Sequence, residues 1–124
     1  MGAPAAVWKS ADGSAVWEYP QGPLGAQTFM VTLGPDQAVR EIRQVLREEY
    51  FKRVRAGMSR AEVRRLLGRQ METRYFSLSG EEVWSWRYVE WNVRPMFFNV
   101  HFDQASGAVT RVSYTEAARG GKQR

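Results

Sequence analysis

Hydrophobic residues along this chain follow two periods, and each marks a different kind of element. In the C-terminal half they alternate. Trp84, Trp86 and Tyr88 fall on one face, as do Phe98, Val100 and Phe102, and then Thr110, Val112 and Tyr114. Period-two alternation predicts half-buried strands, and Gly80 and Ser106-Gly107 supply the turns before the first and last of them. The stretch GMSRAEVRRLLG, residues 57–68, has the helical period instead, with Val63, Leu66 and Leu67 at i, i+3 and i+4. Ser59 and Glu62 form the S-x-x-E capping box, Met58 and Val63 are placed for a hydrophobic staple, and Gly68 supplies the stop. Arg60, next to the cap, is expected to be exposed. So short a helix must lean on the rest of the chain, because helix nucleation is costly.

Residues 37–54 are ambiguous, since Val39, Ile42, Val45, Leu46, Tyr50 and Val54 would also suit one helix. Internal similarity resolves them. ADGSAVWEY (11–19) lies over LSGEEVWSW (78–86), with Trp17 and Trp84 offset by the same amount as Gly13 and Gly80. FMVTLGPDQAVREI (29–42) lies over FNVHFDQASGAVTRV (98–112) with one inserted residue, and Gly2-Ala3-Pro4 over Gly68-Arg69-Gln70. The second copy reads AVTRVSYT opposite the ambiguous stretch, rich in β-branched residues. A strand is therefore expected over 38–45 and a helix over 47–54, giving one αα-hairpin at 47–67. The predicted fold class is α+β: antiparallel β-meanders from two repeat copies packed on one short αα-hairpin. Residues 1–46 are the β half of a first repeat whose helices are missing, and 47–116 form a complete αα-βββ repeat. Residues 117–124 are a polar tail expected to be disordered.

The chain has 124 residues, 44% hydrophobic and 13% aromatic, which fits one soluble unit with large β-core side chains. No apolar run is long enough to span a membrane, and no basic-then-apolar leader opens the chain. Met1-Gly2 lacks the Ser or Thr at position 6 that myristoylation needs. The absence of cysteine removes disulfides and thiolate chemistry. The net charge of +5 would suit nucleic acid or an anionic membrane surface. The cations from Lys52 to Arg69 are interleaved with Glu over two helices, however, so a solvated face is expected and nucleic acid is not.

Phe51, Val54, Gly57, Met58, Ser59, Glu62, Val63, Leu67 and Gly68, followed by Val83-Trp84-x-Trp86 and Val100-x-Phe102-Asp103 with Gly107 and Val109, form a longer pattern. It resembles the SmpA/OmlA family, the BamE-like lipoproteins of outer-membrane assembly. The resemblance covers roughly residues 47–116. It implies a helix pair against a three-stranded antiparallel sheet, in a non-enzymatic accessory subunit at the periplasmic face of the outer membrane. The implied partner is a protein of the β-barrel assembly machinery. The lipobox cysteine is missing from this chain, as is the family's usual proline after the helix-ending glycine. A β-lactamase-inhibitor protein shares the doubled layout, so a protein inhibitor of an enzyme is the alternative.

Candidate chemistry is sparse. His101 shares a strand face with Asn99 and Asp103, but a lone imidazole seldom holds a metal, so a solvated sheet face and no metal are expected. Glu81 and Glu82 are adjacent in a strand and point to opposite faces. Ser59 is used as a cap, and Gly120-Gly121 precedes no helix. No cofactor and no catalysis are expected. The stretch VEWNVRPMFF (89–98) is the most suggestive, with Trp91, Arg94, Met96 and Phe97 between two strands. These side chains either fold back onto the core or form an exposed aromatic and cationic loop for a partner groove or anionic lipid headgroups. The counterpart, PQGPLGAQ at 20–27, has no aromatics. The apolar face of the first meander is carried by Trp17, Tyr19, Phe29, Val31 and Leu33. A monomer in which the single helix pair covers both meanders is expected over a dimer.

Overall fold

Alternating segments become strands throughout, and in the computed structural model, which describes residues 3–21, 26–91 and 93–117, they build two meanders. Sheet 1 contains β1 (Ala6–Lys9), β2 (Ala15–Gln21), β3 (Gln27–Leu33) and β4 (Val39–Gln44). Sheet 2 contains β5 (Glu72–Phe76), β6 (Glu81–Glu90), β7 (Arg94–Asp103) and β8 (Val109–Glu116). Both are antiparallel with strands in chain order, and α1 (Glu48–Phe51) and α2 (Arg60–Leu67) lie between them in sequence. The chain is thus mostly β with a minor helical part. Each meander has four strands, one more than the resemblance implies, because β1 and β5 add outer edges.

The two sheets share a register. Trp17 pairs with Val31 and Tyr19 with Phe29, as Trp84 pairs with Val100 and Trp86 with Phe98. Val31 then pairs with Ile42, as Val100 pairs with Val112. Even the irregularity recurs. A register shift falls between Thr32 and Leu33 in one sheet and between His101 and Phe102 in the other. Bulges bend a strand and strengthen its twist, so the two sheets carry the same local distortion.

The strand expected over 38–45 is β4. The helix expected over 47–54 shortens to one turn, Glu48–Phe51, for a local reason. Its N-cap residue, Arg47, makes no side-chain capping bond, and past Phe51 the backbone tightens into i→i+3 bonds, Arg53 to Tyr50 and Val54 to Phe51. By contrast α2 has its full capping box: Ser59 Oγ accepts from the Glu62 N–H at 3.1 Å, and Glu62 Oε1 accepts from the Ser59 N–H at 2.8 Å.

The main core joins both helices to sheet 2. Phe51, Val63 and Leu67 pack with Trp84, Trp86, Phe98, Val100 and Phe102, and the Phe51 and Phe98 rings stack at 4.2 Å. Sheet 1 joins this core by the face opposite to the one expected. Met30 enters it with Trp8 and Val16 against its margin, and Arg65 of α2 lies 4.9 Å over the Trp8 ring. Trp17, Tyr19, Phe29, Val31 and Leu33 instead form a separate cluster. Both faces of sheet 1 are apolar, so alternation alone could not choose between them. At the joint, Trp86 Nε1 donates to the Gly68 carbonyl at 3.2 Å, and the Arg69 N–H donates to Glu18 Oε2 at 2.7 Å. The polar tail begins one residue later than expected, since Ala117 is buried and its N–H donates to the Pro95 carbonyl. Residues 118–124 lie outside the described residues.

Arg60 is not the idle surface cation its position suggests. Its Nη2 and Nε donate to Glu82 Oε1 at 2.6 and 3.0 Å, while Glu82 Oε2 accepts from Trp84 Nε1 at 2.7 Å. Glu82 is buried, so removing the guanidinium would leave a carboxylate without its charge partner. We expect Ser59→Ala to cost about 1 kcal/mol, as for a lost N-cap. Arg60→Ala should cost more, about 2 kcal/mol, its partial exposure moderating a buried-pair loss. Urea midpoints of the two variants check the order.

Candidate functional site

The β6–β7 hairpin is the longest in the chain and ends in the connection 91–93, closed by the Val93 N–H donating to the Glu90 carbonyl. Trp91 is 75% exposed there and Val93 78%, with Val89 also on the surface. Trp91 has φ 54°, in the left-handed region. A bulky side chain in that region is disfavoured by about 1–2 kcal/mol, a cost met routinely only by glycine and tolerated by asparagine or aspartate. Solvent thus meets two apolar side chains, Trp91 and Val93, and the larger of them sits on a strained backbone.

The residues singled out in 89–98 do not form one loop. Trp91 is on the tip. Arg94 begins β7 and pairs with Glu116 across the sheet, with Glu90 3.8 Å from its other nitrogen. Two carboxylates therefore already flank the cation expected to meet lipid headgroups. Met96 is buried in the main core opposite Tyr88, whose hydroxyl is pushed up to about 12 by burial, with Glu90 adding to the effect. Phe97 is half-buried on the other face of the sheet, paired with Arg87 and Thr115. The exposed-loop expectation therefore fails for Met96, because the strand continues through it and its period turns the side chain inward. Of the first-copy counterpart 20–27, residues 22–25 lie outside the described residues.

Sheet 2 holds a second polar constellation on the face away from the helices. His101 and Asn99, expected to be solvated, are buried there with Ser85. His101 Nε2 and Ser113 Oγ share a hydrogen bond of 2.9 Å, and His101 Nδ1 lies 3.4 Å from Glu81 Oε1, which also meets Arg111 at 3.4 Å. Asn99 Nδ2 donates to Ser113 Oγ and Thr115 Oγ1 at 3.3 and 3.2 Å, and Ser85 Oγ donates to Asn99 Oδ1 at 2.6 Å. Asp103 is elsewhere, accepting from the Ser106 N–H in the β7–β8 turn. Glu81 and Glu82 do face opposite sides, one toward His101 and one toward Arg60.

A hydroxyl, an imidazole and a carboxylate in series are the parts of an activated nucleophile. Acyl transfer also requires donors placed where the oxyanion forms. The Asn99 amide beside Ser113 is already divided between two hydroxyls, so the network's clear capability is to lock three strands side by side. Sequence reasoning missed it because single Ser, Asn and His residues at alternate positions look like ordinary solvent-facing choices.

The basic cluster is partly consumed by packing. Arg60 is held by Glu82, Arg53 lies 4.8 Å over Tyr50, and Arg65 lies over Trp8. Comparison with family models, curated proteins and solved structures gives no match to this chain.

Burial holds the His101 imidazole below its ordinary pKa, Arg111 acts the same way, and hydrogen bonding to Glu81 opposes them. The folded state therefore prefers neutral His101, while the unfolded chain takes up its proton near pH 6.5. Stability from this group should be full above about pH 6.5 and fall as the pH drops through the lower folded value. His101→Gln should flatten the loss in urea titrations across that range. An alkyl fluorophosphonate should leave Ser113 unlabelled by mass spectrometry. Phosphonylation of Ser113 would show that the relay activates it.

Proposed function

We propose that this chain is a non-enzymatic binding domain of the SmpA/OmlA, BamE-like kind, acting at the periplasmic face of the outer membrane. On this reading it docks on a protein of the β-barrel assembly machinery through the tip of the β6–β7 hairpin. Support comes from the capped helix of the GMSRAEVRRLLG stretch packing on an antiparallel meander, the local arrangement that the resemblance implies.

The single observation that carries the docking site is Trp91. Exposed tryptophan is favoured at interface centres, where it fills pockets in a partner. Strained backbone that persists without serving the core points to a functional constraint. The described tip residues, Trp91 and Val93, are apolar and Arg94 is already paired, so an apolar groove on a protein fits them better than an anionic headgroup layer.

Trp91→Gly separates binding from folding, because glycine relieves the left-handed backbone and little buried surface is lost. We expect the variant to be more stable by about 1 kcal/mol in urea, yet to bind purified barrel-assembly complex at least tenfold more weakly. Vesicles containing phosphatidylglycerol serve as the second probe, with weak, Trp91-independent binding expected. Unchanged affinity for the complex would remove the tip from the interface. Inhibition of a β-lactamase by the intact chain would favour the inhibitor reading instead.

A further inference from the structure

The β5–β6 hairpin turns at residues 77–80, at the opposite end of β6 from Trp91. Tyr75 and Phe76 close β5 with 64% and 45% of their surface exposed, and Leu78 in the turn is fully exposed. Neighbouring strand residues point to opposite faces, so the two rings stand on either side of the sheet. Tyr75 pairs with Glu82 on the side of the helices, and Phe76 pairs with Glu81 on the reverse side. This end of the hairpin is therefore apolar on both sides and at its apex.

The turn itself does not demand apolar residues. In sheet 1 the equivalent of Phe76-Ser77-Leu78-Ser79-Gly80 is Lys9-Ser10-Ala11-Asp12-Gly13, with both glycines at positive φ. Polar groups hold that turn, the Asp12 carboxylate accepting from the Ser14 N–H at 2.9 Å. In the β5–β6 turn the Phe76 carbonyl accepts from the Gly80 N–H at 2.9 Å and from the Ser79 hydroxyl at 3.4 Å. The Gly80 carbonyl accepts from the Gln104 N–H at 2.8 Å. Carbonyls satisfied within the protein are what an apolar medium requires of a backbone that enters it. Behind the tip, Arg60 is held by Glu82, Arg111 by Glu81 and Arg74 by Glu72. Asp103, in register with Glu81, adds a further carboxylate, so these side chains carry no positive excess that would draw the tip to anionic lipid.

We propose that the β5–β6 tip dips into the interfacial layer of a zwitterionic lipid bilayer, with Leu78 deepest and Tyr75 and Phe76 beside it. A groove on a protein receives one face of a hairpin, whereas a bilayer surrounds an end that is apolar on both. Aromatic and aliphatic side chains favour the boundary between headgroups and acyl chains. This contact lies at the other end of β6 from Trp91, and neither depends on the other.

The chain has no cysteine, so Leu78→Cys in the full chain takes a single environment-sensitive nitrobenzoxadiazole label. Ala11→Cys, labelled alike, is the control at the equivalent turn of sheet 1. With phosphatidylcholine vesicles we expect the emission of the label at position 78 to shift to the blue and that at position 11 to stay in place. The shift should be the same at low and high salt, because no charge attraction drives it. In the unlabelled chain, Phe76→Ser combined with Leu78→Ser should weaken co-flotation with the vesicles about tenfold and keep the urea midpoint close to that of the parent. No shift at 78, an equal shift at both positions, a shift abolished by salt, or unchanged co-flotation of the double variant overturns the proposal. So does a shift given by purified barrel-assembly complex and not by vesicles, because the tip would then be a protein contact.

Discussion

One peptide group, between Gly68 and Arg69, is held from both sides. Its carbonyl accepts the Trp86 indole N–H of sheet 2, and its N–H donates to the Glu18 carboxylate of sheet 1. Glu18 is 1% exposed, and a buried carboxylate is costly unless donors meet it. The Arg69 N–H meets Glu18 Oε2, while Oε1 is buried with no hydrogen-bond partner among the described residues, so this contact fixes the end of α2 against sheet 1 without fully compensating the carboxylate. Glycine is required there. Its φ is 84°, and a Cβ would stand 2.8 Å from Glu18 Oε2. Which face of sheet 1 turns inward follows from this contact, since Glu18, Met30 and Arg43 share one row across the strands.

Much of the fold was legible because the chain states it twice. The ambiguous stretch at 38–45 looks helical alone, and only comparison with Thr110, Val112 and Tyr114 reveals β4. The capping box at Ser59 and Glu62 is a local signal and was readable directly. The length of α1 was not, because its apolar positions promise two turns while its N-cap residue, Arg47, makes no side-chain capping bond. The orientation of sheet 1 was hidden for another reason. Trp8, Val16 and Met30 on one face compete with Trp17, Phe29 and Val31 on the other, and period-two patterning does not rank two apolar faces. Non-local pairs were the least visible. Nothing near Glu18 in sequence announces the Arg69 N–H, and nothing near Arg60 announces Glu82.

The same limit applies to the candidate site. The sequence marks 89–98 as unusual but cannot show where strand gives way to turn. Once β7 is seen to begin at Arg94, its alternation sends Met96 inward and Phe97 to the far face. Among the described residues, Trp91 and Val93 remain on the tip. An aromatic cluster in sequence thus becomes three separate roles, and the exposed part is narrower and less charged than its composition suggests.

The two sheets differ in which face meets the main core because the same backbone carries different side chains at equivalent positions. Where sheet 1 has Met30, sheet 2 has Asn99, and the same face is packed into the main core in one sheet and hydrogen-bonded away from it in the other. A buried amide and imidazole make sense only when every donor finds an acceptor, and Ser85, Ser113, Thr115 and Glu81 supply those partners. That network stiffens the sheet from which the β6–β7 hairpin projects. A tip holding a tryptophan at positive φ needs such support, because the strain would otherwise relax into the turn. The core on one face of sheet 2 and the polar network on the other are therefore joint conditions for presenting Trp91 to solvent.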